Sequence, residues 1–155
     1  MVEPSHPFPR LLARDLEGRD RWLPEAFSGE RNVVLVAFQR RHQELVDSWL
    51  PWLEARSSQD AGLRFFEVPT IARIWAPVRN FIDGGMAAAI PDPAVRRRTL
   101  TLYGDLSRLT GPLQITDRQT ITVLLVDRGG QVRWSGTGGY DETRAGELAV
   151  ALERS

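Results

Sequence analysis

The sequence predicts an α/β domain, a mixed central β-sheet with helices on both faces. Three observations carry this. Asn32 to Phe38 is a short, almost wholly apolar run rich in β-branched residues, the pattern of a strand buried on both faces. Leu45, Val46, Trp49, Leu50 and Leu53 follow at helical spacing, and Leu63 to Val68 then reads as a second strand, which gives a parallel β-α-β start. Thr120 to Val126 and Gln131 to Ser135, joined by Asp127-Arg128-Gly129-Gly130, form a hairpin that leads into a last helix. A parallel start with an antiparallel end requires a mixed sheet.

In chain order, Asp15 to Trp22 suggests a loose hairpin around Glu17-Gly18, and Leu23 to Phe27 reads as one helical turn. Gln39-Arg40-Arg41-His42 is a polar turn at the mouth of the first long helix. Pro51 inside that helix removes a ladder hydrogen bond and kinks it. Ala61-Gly62 ends the unit, and Pro69 closes the second strand. From Thr70 the period turns helical, with Ile71, Ile74, Trp75, Val78, Phe81 and Ile82 at i, i+3, i+4, i+7, i+10 and i+11. Residues 70–98 therefore read as a long helical insertion, kinked at Pro77, broken at Gly84-Gly85 and restarted at Asp92-Pro93. Thr99 to Tyr103 alternates and fits either a strand or a helical continuation. Asp105 caps a short helix through Leu109, and Asp141 starts a final one with Ala145, Leu148, Ala149 and Leu152 on its buried face.

The 155 residues suit a single domain spanning 1–155, and at 42% hydrophobic and 26% charged the composition is that of an ordinary globular protein. Twenty basic residues balance twenty acidic ones, which argues against a nucleic-acid partner, since phosphate contacts need a basic excess. Every basic residue is Arg, and Cys is absent. A thiol nucleophile, a disulfide, a Schiff-base lysine and a P-loop lysine are all excluded. With only His6 and His42 present, no metal site and no cofactor are expected. The N-terminus lacks the apolar core of a signal peptide and no run reaches membrane-spanning length, so the expected location is cytoplasmic.

With Val33–Phe38 followed by a helix carrying Pro51, and Val123 to Trp134 followed by Gly136 and Gly138, the chain resembles the thioredoxin-fold proteins, in layout the peroxiredoxin and TlpA branch. Matching Pro51 to the kinking proline of that fold puts its two redox cysteines on Gln43 and Val46, its buried acid on Ala37 and its cis-proline near Thr122. All of that redox chemistry is missing here. A narrower resemblance, through Val46-Asp47-Ser48-Trp49, Ile90-Pro91, Asp127, Gly130, Arg133-Trp134 and Gly136, is to bacterial relatives of the mitochondrial ATP synthase assembly factor ten family. It implies a chaperone-like role toward a protein partner, a membrane subunit of the synthase.

Arg40, Arg41 and His42 stand at a helix start, where positive side chains oppose the dipole unless an anion binds among them. The alternative is that they point into solvent. His42 with Glu44 and Asp47 is a weaker acid–base combination, since no serine is placed as a nucleophile. Trp49 and Trp75 lie in apolar stripes and read as core, whereas Trp52 falls off the stripe and is a candidate partner contact together with Phe81, Met86 and Ile90. Arg96-Arg97-Arg98 reads as a solvated turn, and Gly136-Thr-Gly-Gly139 as a turn without the lysine of a phosphate loop. The expectation is a non-catalytic, cysteine-free binding or assembly module. The alternatives are a peroxiredoxin-like protein with thiol-independent activity, and a structural homo-oligomeric module.

Overall fold

The computed structural model describes residues 6–72, 98–104 and 106–155. Its strands are β1 (His6–Pro7), β2 (Leu11–Asp15), β3 (Asp20–Leu23), β4 (Arg31–Ala37), β5 (Leu63–Ala72), β6 (Leu100–Gly104), β7 (Thr122–Asp127) and β8 (Gln131–Thr137). Its helices are α1 (Gln43–Gln59), α2 (Ser107–Thr110) and α3 (Glu142–Arg154). The strands lie in the order β1-β8-β7-β4-β5-β6-β2-β3.

β4 sits at the centre because its residues have apolar surface to bury on both faces. It runs parallel to β5, with Val36 beside Val68, and antiparallel to β7, with Val36 beside Thr122. Alternate residues feed two cores. Val33 and Leu35 face α1 and α3, packing with Val46, Trp49, Leu53, Ala145, Leu148 and Leu152. Val34 and Val36 face the other way, onto Phe8, Leu23, Phe27 and Leu109 of α2. Helices therefore cover both faces of a mixed sheet, as the sequence predicts. At the base of β4, Asn32 bonds Gly29 through both side-chain ends and donates to Val126 O, and Arg31 Nη2 grips Asp60 at 2.6 and 2.7 Å.

Two local expectations are corrected. The helical turn expected over Leu23 to Phe27 is narrower than that, because Leu23 ends β3 and the turn covers Pro24 to Ala26, closed by Ala26 N–H to Trp22 O at 2.8 Å. Nor does helix begin at Thr70. β5 continues through Pro69 to Ala72, pairing Thr70 with Leu102 and Ile71 with Tyr103. Pro69 lies opposite Ala37 and has no N–H to give, and the Ala37 carbonyl accepts from Thr70 Oγ1 at 3.0 Å. That pairing also decides Leu100–Gly104 as strand. The rest of the expected insertion, with Trp75, Phe81, Met86, Ile90, Arg96 and Arg97, and the Asp105 cap, lies outside the described residues. Among the described residues no helix is long and apolar enough to cross a membrane.

Candidate functional site

The C-terminal end of β4 runs into a 3₁₀ turn, Arg40–His42, and then into α1. In an open α/β sheet this is the natural place for a site, because loops gather there at the carboxyl ends of the strands. Three residue groups build it.

The first is His42, which is turned inward and fully buried. Its Nδ1 accepts hydrogen bonds from Phe38 N at 3.1 Å and Gln39 N at 3.2 Å, so the ring caps the turn that leads out of β4. Nδ1 is an acceptor in that arrangement, which leaves the proton on Nε2, and Nε2 meets no partner among the described residues. The His42–Glu44–Asp47 acid–base combination is thus not assembled: Glu44 is exposed while the imidazole points into the protein.

The second group ties this turn to the loop before β7. Gln39 Oε1 accepts from Arg41 Nε at 2.8 Å, and Arg41 Nη2 donates to Gln119 O at 3.2 Å and Gln119 Oε1 at 2.9 Å. Gln39 Nε2 in turn donates to Arg118 O at 3.1 Å and to Gln119 Oε1 at 3.3 Å. Arg41 and Arg40 are both exposed at the rim. The structure thus separates the sequence triplet into two solvent-facing arginines and one buried histidine.

The third group occupies the positions matched to the redox cysteines. Gln43 opens α1, and its Nε2 bridges two carboxylates, Asp47 Oδ1 at 2.9 Å and Glu67 Oε1 at 3.3 Å. Thr99 Oγ1 donates to the other Glu67 oxygen at 3.5 Å. Burial against the sheet raises the Glu67 carboxyl above the usual carboxylate range, and the Asp47 charge adds to this. The hydrogen bonds from Gln43 and Thr99 and the Arg98 charge oppose it without cancelling it. Val46, at the other cysteine position, is buried in the α1 core. Sequence reasoning missed Glu67. The available signal was a lone acid on the same strand face as Leu63 and Phe65.

The remaining candidates divide. Trp49 is core, with Nε1 donating to Gly138 O at 3.0 Å. Trp52 is half-buried, edge-on to Trp49 at 6.0 Å and 81°, with the Arg56 guanidinium 5.1 Å from its ring. Arg98 lies over the Phe65 ring at 4.3 Å rather than extending freely into solvent. Among the described residues no group of three or more His, Asp or Glu is placed to hold a metal ion.

No protein-family model matches the chain, and no curated protein matches it in sequence. Solved structures do match it. Yeast Sco1 with copper bound is 16% identical, with TM-score 0.62 over 99% of this chain and 96% of the other. A DsbF homologue from Corynebacterium diphtheriae is 9% identical, with TM-score 0.62 over 100% and 92%. BsSco, of the Sco family of cytochrome c oxidase assembly proteins, is 11% identical, with TM-score 0.62 over 97% and 96%. The narrower resemblance to the ATP synthase assembly family finds no support among these structures. What they share with the chain is its architecture, which is a thioredoxin-like fold.

Proposed function

We propose that the chain is a non-enzymatic thioredoxin-like module that binds a protein partner, in the manner of an assembly or chaperone-like factor. The observation that carries this reading is the pair at the matched cysteine positions. Gln43 is engaged between two carboxylates and Val46 is buried in the core, in a chain without cysteine. Thiol–disulfide exchange and peroxide reduction both need a thiolate as nucleophile, and none exists here. A fold that keeps its frame while its reactive positions become structural retains a surface and loses a reaction. The Sco family is described as assembling cytochrome c oxidase, so assembly is among the uses of this architecture.

The test is enzymatic. Purified chain, freed of metal by chelation, is expected to reduce insulin and consume peroxide at the rate of a buffer blank. Turnover well above blank would overturn the reading.

A further inference from the structure

We propose that Arg40, Arg41 and Arg118 form a docking rim for an acidic, extended segment of a partner protein; this rests on the binding-module reading and names the chemistry of the partner. Among the described residues, Arg10, Arg14, Arg19, Arg21, Arg31, Arg128 and Arg133 each lie within 4.0 Å of a carboxylate. The three rim arginines have no such carboxylate partner among the described residues, a state they share with Arg56, Arg64, Arg98, Arg108, Arg144 and Arg154; what sets the three apart is that they lie together. They are nonetheless brought together from distant parts of the chain, because Gln39 and Arg41 bond the backbone of Arg118 and Gln119.

The partners that position Arg41 and Arg118 are neutral. Arg41 is held by the Gln39 and Gln119 amides and a carbonyl, and Arg118 Nη2 donates to Thr110 Oγ1 at 3.1 Å. Such contacts fix a guanidinium without compensating its charge, which leaves it ready for a carboxylate. The acids nearest in sequence are Glu44 and Asp117, and one Asp117 oxygen already accepts from Gln119 N at 2.8 Å.

The geometry selects the kind of anion. Successive side chains of a 3₁₀ turn leave its axis about 120° apart, so Arg40 and Arg41 diverge. Arg118 is drawn toward a third anchor on α2. Side chains that leave the backbone in different directions suit carboxylates spaced along an extended chain better than one compact ion such as phosphate. The balanced net charge supplies no long-range attraction for a nucleic acid.

The probe is a hexaglutamate peptide, titrated into the intact chain by calorimetry beside a hexaglutamine peptide and inorganic phosphate. Hexaglutamate is expected to bind, more weakly as salt is raised, and hexaglutamine is not. Arg40→Glu, at an exposed position, should weaken binding about fivefold or more, because an ion pair is lost and a repulsion gained. Adding Arg41→Ala and Arg118→Ala should abolish it. Hexaglutamate binding that survives Arg40→Glu unchanged, or phosphate competing at equal concentration, overturns the proposal. A thiol-type turnover would overturn the module reading and leave these titrations standing, so the two failures are distinguishable.

Discussion

Replacing His42 with alanine removes the one acceptor that two backbone N–H groups share. Phe38 N and Gln39 N reach Nδ1 at 3.1 and 3.2 Å, and the ring itself is fully buried. A buried donor left without a partner costs about 1–3 kcal/mol. Here both amides sit on a half-exposed turn, so water recovers part of each bond, and about 1 kcal/mol apiece is the better figure. Deleting the imidazole adds a small cavity worth about 1 kcal/mol. His42→Ala should therefore lose about 2–3 kcal/mol, read as a lower urea midpoint at unchanged slope, or about 4–12 °C in melting temperature for a chain of this size. His42→Asn keeps a side-chain oxygen within reach of the same amides and should recover roughly half of the loss. His42→Phe fills the space without an acceptor and should not. An alanine variant within about 0.5 kcal/mol of the parent, or Phe rescuing as well as Asn, would refute the capping role. The same change should also loosen Gln39 and with it Arg41, so acidic-peptide affinity is expected to fall alongside stability.

Glu67→Gln tests the carboxyl pair. The Glu67 pKa is raised in the folded chain, so between the unfolded value near 4.5 and the folded one the native state binds more protons. Stability then falls as pH rises through that window and stays lower above it. Gln cannot ionise, so Glu67→Gln is expected to be more stable than the parent at neutral pH and to flatten that slope in urea titrations at several pH values; an unchanged slope would count against burial as the cause. Asp141 accepts from Thr143 N at 2.8 Å and Arg144 N at 3.2 Å at the start of α3, so Asp141→Ala should cost about 1 kcal/mol in urea while acidic-peptide binding stays as it was.

The parts of this molecule that the sequence makes legible are those whose cause is local. The run from Val33 to Ala37 is apolar at every residue, so it announces a strand buried on both sides, and the Asp127 to Gly130 turn announces its hairpin. Trp49 falls on the helical stripe and is buried there. Thr70 to Ala72 misleads because a proline precedes it and Ile71 happens to fit a helical period. Only its neighbours Leu102, Tyr103 and Gly104, far away in the chain, make it strand. Burial of His42 is illegible for a related reason: an imidazole that follows two arginines looks solvated until β4 ends in a turn whose amides need an acceptor. The rim and the carboxyl pair likewise depend on residues apart in the chain, Arg41 with Gln119 and Asp47 with Glu67, each brought together by one element crossing another. Gln43 joins these two kinds of cause. Its place at the head of α1 follows from local sequence, but the two carboxylates it bridges meet only because α1 packs across β5. Its amide spans the two at 2.9 and 3.3 Å, a contact that local sequence alone does not announce.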